Sequence, residues 1–284
     1  MTQIIIQGML LSGLYALIAI GFTLIFSVGR VLNLAYGAYL MIGGYVYFYI
    51  SQQLGLPKGV GLVMAAGVGC LAGLLKYRFI AKPLKGNHVA IEISTLILAI
   101  VIQSGIILMF GESTKILHSL VPGIIRLEGV TAPWSNILAT GLSWVLIVAV
   151  FLFVRHTHTG RAMLAVSQDP KGAAICGINA EWINMVTWGI SGLLGGVAGV
   201  FFASYTQLSP FMWVGPLIVT VAIVVVGGIG SILGTLVVAH IIGFLEIIVV
   251  SYIAPELRGI FTMLLIILFL IFRPRGLFGR EELT

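Results

Sequence analysis

Apolar residues run almost without interruption through nine stretches of this 284-residue chain, roughly 4–28, 34–51, 59–78, 91–110, 136–155, 185–206, 216–232, 234–252 and 258–272. An α-helix rises ~1.5 Å per residue, so about 20 apolar residues cross a ~30 Å hydrocarbon layer, whereas strands of a membrane barrel alternate over ~10. The pattern predicts an all-α, polytopic bundle of transmembrane helices with about nine spans. Gly and Pro interrupt several runs, and transporters accommodate half-helices, so the expected count is 8–10. The one long polar stretch is residues 157–185, THTGRAMLAVSQDPKGAAICGINAEWINM, between the fifth and sixth runs.

Composition agrees with the pattern. Hydrophobic residues make up 60% of the chain and charged residues 8%, with a mean hydropathy of +1.15. A soluble domain carries about a quarter charged residues. The 36 glycines suit closely packed membrane helices. A net charge of +6 raises the question of nucleic acid, but the basic residues sit in short clusters at the edges of the apolar runs, and no nucleic-acid partner is expected. Cys70 and Cys176 form no disulfide or metal pattern. The N-terminal run lacks a basic leader and a small-residue cleavage site and reads as a retained first span.

The charges also set sidedness. The segments around residue 30, at 76–88, at 155–185 and at the C-terminal tail hold Arg30, Lys76, Arg78, Lys82, Lys85, Arg155, Arg161, Lys171, Arg273, Arg275 and Arg280, eleven of the fifteen basic residues. Lys58, Lys115, Arg126 and Arg258 fall on the other side. Cytoplasmic loops are enriched in Lys and Arg, which selects an outside N-terminus, an inside C-terminus and an odd number of spans. Spans 1 and 6 then run in opposite directions, so two four-helix sets joined by span 5 would make an inverted repeat. The expected organisation is one transmembrane domain, 1–284, with a cytoplasmic loop at about 157–185 and no soluble domain. The external stretch 111–135 is too short to capture a ligand alone. No Gly-Lys pair occurs, so a Walker phosphate cradle is absent and any ATP hydrolysis belongs to another polypeptide.

Within the polar loop, Gln168-Asp169-Pro170 reads as a helix start, because Asp169 can cap and Pro at the first helical position forfeits no hydrogen bond. Lys171 and Gly172 follow, then Ala173, Ala174, Cys176 and Gly177 offer small residues for close approach to a partner surface, and Gly177-Ile178-Asn179 reads as a stop. A membrane subunit driven by a separate motor needs such a surface helix; an ordinary connecting loop is the plainer reading.

Other residues carry two readings each. Asn33, Tyr36 and Gly37 follow a helix break at Ser27–Gly29. Asn33 either shapes the translocation path or makes an interhelical polar contact, since an unpaired amide in lipid costs several kcal/mol. Gly227, Gly228 and Gly230 form a tight turn or a break whose backbone lines the path. His240 and Glu246 lie in span 8 about 240° apart around the helix, too far for a relay on one face. Glu246 belongs either to an external vestibule, where it would meet an amino group, or to the outer interface. Glu92 reads as a cap or a local ion-pair partner at the start of span 4. Gly192, Gly195, Gly196 and Gly199 are spaced for close helix packing.

The order AVSQDPKGAAICGIN resembles the coupling segment of ABC importer permeases, with Ala173-Ala174 and Gly177 at the positions of its Glu-Ala-Ala and following Gly. Here the Gly spacing is three residues rather than four, and Lys171-Gly172 stands where an acidic start is expected. The opening GMLLSGLYALIAIGFTLIFSVGRVLNLAYGAYLMIGGY (8–45), VVVGGIGSILGTLVVAHIIGFLE (224–246) and FRPRGLFG (272–279) resemble branched-chain amino-acid ABC transporter permeases of the LivH type. That resemblance implies a non-catalytic subunit in a prokaryotic plasma membrane, paired with a second, related permease subunit, two ATPase subunits that bind ATP and Mg, and an extracytoplasmic substrate-binding protein, with membrane lipid around it. The expected cargo is a branched-chain or hydrophobic amino acid or a related small solute. Coupling would then fall to Gln168, Asp169, Pro170, Lys171, Ala173, Ala174 and Gly177. The competing classes are an autonomous ion-coupled carrier or channel using His240 and Glu246, and a passive membrane scaffold, which has no use for Gly-broken helices.

Overall fold

The computed structural model describes residues 2–118, 120–127, 130–253, 259–272 and 276–278. Among them are eleven helices: α1 (Thr2–Gly29), α2 (Tyr36–Phe48), α3 (Lys58–Lys76), α4 (His88–Phe110), α5 (Trp134–His156), α6 (His158–Gln168), α7 (Pro170–Ile175), α8 (Ala180–Tyr205), α9 (Val214–Gly227), α10 (Ile232–Tyr252) and α11 (Ile260–Phe272). Two of them widen into a π turn at their C-terminal ends, α2 over Tyr49–Gln53 and α3 over Tyr77–Ala81. Six helices, α1, α3 with its π turn, α4, α5, α8 and α10, are long and apolar enough to cross a membrane. The chain is a polytopic helical membrane protein. Of the sidedness charges, Arg258, Arg273, Arg275 and Arg280 lie outside the described residues.

Side-chain caps set five of the eleven helix starts. Asn87 Oδ1 accepts from the Ala90 amide at α4, Asn179 Oδ1 from Glu181 and Trp182 at α8, and Ser231 Oγ from Gly234 at α10. Each such cap satisfies amides that have no partner in the first helical turn.

The structure corrects several expected boundaries. The run 216–232 stops at Gly227, because Gly228 (φ 96°) and Gly230 (φ 82°) turn the chain, and α10 starts at Ile232 rather than 234. The polar segment expected at 76–88 begins later, since the helix continues to Ala81 and carries Lys76 and Arg78 within it. The stretch 157–185 is mostly helical, holding α6, α7 and the start of α8. A departure from all-α lies in the 111–135 segment, where β1 (Ile124–Leu127) pairs antiparallel with β2 (Val130–Pro133).

α1 and α8 are the enclosed helices, while α3, α4 and α5 leave most of their apolar surface uncovered. α8 lies between α2 and α3 at backbone contact. A Cβ added at Gly192 would overlap the Gly69 carbonyl, at Gly196 the Ala65 carbonyl and at Gly199 the Leu40 carbonyl; at Gly195 it would come within 2.8 Å of Tyr39 Cβ. Packing of this kind matters in lipid, where apolar burial alone does not draw helices together. α1 meets α10 through the buried Thr23–Thr235 hydroxyl pair (2.8 Å) and meets α8 through Ser191 Oγ, which donates to the Gly21 carbonyl at 2.6 Å.

Contacts between connecting segments fall at two ends. At the end holding the start of α1, Gln3 pairs with the Thr131 backbone, Lys58 donates to the Leu120 carbonyl, and Lys115 and Leu208 exchange two backbone hydrogen bonds. At the other, Arg30 reaches Ser167 and Gln168, Lys82 pairs with Glu181, and the Leu277 amide donates to the Val226 carbonyl at 2.8 Å.

Candidate functional site

Two adjoining structures at that second end hold the sequence-predicted coupling residues and Asn33: the α6–α7 segment and the break between α1 and α2. In the first, Thr157 caps α6 by accepting from the Gly160 amide at 3.0 Å. α6 is amphipathic: Met163 and Val166 turn inward and join Ala173, Ile183 and Val28 of α1 in one apolar cluster. Asp169 Oδ1 accepts from the Lys171 amide at 2.9 Å and Pro170 occupies the first helical position of α7. α7 ends where Gly177 takes φ 79° and the Ile178 amide reaches back to the Ala173 carbonyl at 3.0 Å. A left-handed residue closed by that bond is a helix C-terminal cap in which glycine escapes the Cβ penalty.

The small-residue face expected over Ala173, Ala174, Cys176 and Gly177 is divided. Ala173 is buried in the segment's own cluster, while Gln168, Lys171, Ala174, Cys176 and Gly177 are exposed. Ile175 is 88% exposed, an apolar side chain held outward at the tip. α6 itself was missed in the sequence, although Met163, Val166 and the capping Thr157 were its signal.

The break spans residues 30–35. Asn33 is 1% exposed, and Lys76, from α3, is 3% exposed. Lys76 Nζ donates to Asn33 Oδ1 (3.3 Å) and to the Ala35 carbonyl (3.0 Å), and lies 3.8 Å from the centroid of the Tyr39 ring. Among the described residues no carboxylate pairs with it. A buried ammonium without an acidic partner is tolerated only where hydrogen bonds and ring contacts replace its water. α4 holds the break from the other side: Glu92 Oε1 accepts from the Leu32 amide at 3.4 Å and Thr95 Oγ1 from the Leu34 amide at 3.2 Å. Glu92 thus neither caps α4, which Asn87 does, nor pairs with the basic loop.

Tyr36 opens α2 fully buried, with Phe22 and Tyr39 edge-on at 5.7 Å each, and Gly37 lies against the Trp213 backbone, where an added Cβ would fall 2.7 Å from its carbonyl oxygen. Gly227, Gly228 and Gly230 form the α9–α10 turn, and Gly230 comes to Ser27 of α1. The break and this turn therefore share one end of the bundle. Glu246 does not join them: it is buried in α10, 14 residues beyond Ile232, or about 21 Å along the helix. His240 Nδ1 lies 2.8 Å from the Leu236 carbonyl and its ring is 5.3 Å from that of Trp144. An open apolar depression between α10 and α11, lined by His240, Phe244, Ile248 and Phe261 among others, includes none of the candidate path residues. No group of His, Cys, Asp or Glu among the described residues could hold a metal ion.

The fold and this end of the bundle define a polytopic helical membrane protein with a structured polar segment between two spans. Residues 4–270 match the family described as branched-chain amino acid transport system / permease component, and the chain belongs to that family. It is 30% identical to the high-affinity branched-chain amino acid transport system permease protein LivH of Escherichia coli K12, over 99% of this chain and 96% of that protein. It is 28% identical to the corresponding protein BraD of Pseudomonas aeruginosa, over 99% and 96%. The ribose import permease protein RbsC of Escherichia coli K12 is 25% identical over 81% of this chain and 73% of its own length. No solved structure matches the chain. The chain is a non-catalytic membrane component of a transport system, and the reading as an autonomous ion-coupled carrier is not favoured.

Proposed function

We propose that this chain forms the translocation pathway of an ATP-driven importer in a prokaryotic plasma membrane, and that α6–α7 receives the force of separate ATPase subunits. Its cargo is a branched-chain or similar hydrophobic amino acid, delivered by an extracytoplasmic binding protein; ATP and Mg are held by the two ATPase subunits, and a second, related permease subunit completes the pathway. The observation that carries the coupling role is the division of the α6–α7 segment. One face is cemented to α1 and α8 through Val28 and Ile183, and the other presents Ala174, Ile175 and Cys176 outward. An element packed on one side and exposed on the other can transmit a push to the helices beneath it.

Nine crossings with the N-terminus outside fit this assignment. The shorter helices α2 and α9 fall between long ones and α11 follows the last of them, and the connecting-segment contacts sort into two sets that an odd count keeps on opposite sides: 3 with 131, 58 with 120 and 115 with 208 outside; 30 with 167–168, 82 with 181 and 226 with 277 inside. An inverted repeat of two four-helix sets around α5 is compatible with that parity.

The test is disulfide trapping in the assembled transporter. With Cys176 replaced by Ser, a cysteine at Ala174 is expected to crosslink to a cysteine in the receiving groove of the ATPase subunit. Failure at every position across 168–178, in a complex that still co-purifies, would remove the coupling assignment.

A further inference from the structure

Arg30 is the single residue other than glycine with a positive φ among the described residues, 51°. It stands immediately after α1, with its amide still bonded to the Phe26 carbonyl at 2.9 Å, so the strained residue is the point where the helix gives way to the break. For an L-residue other than Gly the left-handed region costs about 1–2 kcal/mol. A side chain that needed only to end the helix would be glycine here.

Its guanidinium explains the choice. Nη2 donates to the carbonyls of Ser167 and Gln168, both at 3.4 Å. Those are the last two carbonyls of α6; they have no helical donor ahead of them, and a cation is favoured at that end of a helix. Two residues earlier, Val28 packs with Met163, Val166 and Ala173. The inner end of α1 therefore grips α6–α7 twice, through an apolar contact and a charged one.

On its other side Arg30 leads straight into residues 31–35, whose backbone is pinned to α3 by Lys76 and to α4 by Glu92 and Thr95. Any displacement of the end of α6 must pull on this five-residue strip against those anchors. We infer that Arg30 is the positioning residue that converts movement of the α6–α7 segment into rearrangement of the α1–α2 break. This rests on the coupling role proposed above for α6–α7.

The decisive variant is Arg30→Gly, which keeps the left-handed backbone free of strain and removes the side chain with its guanidinium; Arg30→Lys retains the charge and the aliphatic stem without the fork. Both are assembled with the ATPase subunits and binding protein in liposomes, and ATP hydrolysis and uptake of labelled leucine are measured together. For Arg30→Gly, hydrolysis is expected within about twofold of the unaltered complex, with leucine moved per ATP reduced at least fivefold and partly restored in Arg30→Lys. Unaltered leucine per ATP in Arg30→Gly overturns the inference. So does loss of assembly in that variant, which would make Arg30 a folding residue. The Ala174 crosslink, run in parallel, separates the two levels. Its absence in the unaltered complex sinks both readings, whereas a normal crosslink with unaltered coupling in Arg30→Gly sinks only the role of Arg30.

Discussion

Lys76 and Asn33 form an asymmetric pair, and the asymmetry can be measured. Replacing Asn33 by Leu keeps the branched outline but deprives a fully enclosed ammonium of one of its two oxygen acceptors, leaving the Ala35 carbonyl and the Tyr39 ring. Removing a neutral acceptor from a charged donor costs about 1.5–3 kcal/mol. Replacing Lys76 by Met keeps the side-chain length and removes the charge itself. Two acceptors then lose their donor, each worth about 1–3 kcal/mol, but the desolvation penalty of the ammonium, several kcal/mol, is returned. The net effect of Lys76→Met should be below about 2 kcal/mol. In the double variant only the Ala35 carbonyl is left short, so the double change should be milder than Asn33→Leu alone, with a coupling of about 2–3 kcal/mol. At roughly 2–4 °C per kcal/mol for a domain of this general size, Asn33→Leu should lower the apparent melting temperature by about 3–12 °C, and the double variant should recover a large part of that. The assay is the fraction of detergent-solubilised complex that stays monodisperse after heating, scored for the four members of the cycle. Equal shifts for the two single variants that simply add in the double would refute the reasoning, since they would mean that Lys76 draws nothing from Asn33.

Two further outcomes test neighbouring parts of the structure. Gly199→Val should abolish accumulation of the folded protein, because even its Cβ overlaps the Leu40 carbonyl, while Gly67→Ala on α3, where an added Cβ meets nothing within 4 Å, should leave expression unchanged; quantitative immunoblotting of membranes compares the two. Asp169→Ala removes the cap of α7 and should weaken that short helix by about 0.5–2 kcal/mol, seen as faster amide exchange across 170–175 with no change at α8; unchanged exchange would mean that packing alone holds α7.

The helical membrane architecture was legible because lipid leaves a chain few options: every backbone polar group in a span needs an internal partner, so long apolar runs become helices. The cap at Asp169 with Pro170 and the stop at Gly177 were legible for the same local reason, each being set by its own residue and the next two or three; the break, expected at Ser27–Gly29, instead begins at Arg30, because α1 stays helical through Gly29. What escaped the sequence was whatever depends on a second element. Glu92 reads as a cap until Leu32 is seen beside it, and the strands at 124–127 and 130–133 are too short to carry a periodic signal. Lys76 is the instructive case. Counting charges at membrane edges placed it in a cytoplasmic loop with Arg78, Lys82 and Lys85. Helical spacing pointed elsewhere, because Ala65, Gly69 and Gly73 recur every four residues and Lys76 follows at the next step of three, on the face that is buried against α8 and α2. A small-residue stripe marks the side of a helix that another backbone touches, so a charge continuing that stripe must enter the protein whatever the loop statistics suggest. That charge, held by the carbonyl and amide oxygens of a helix break, ties α3 to the very strip that Arg30 connects to α6–α7. The residue that charge counting placed in solvent is thus an anchor against which the proposed coupling would pull.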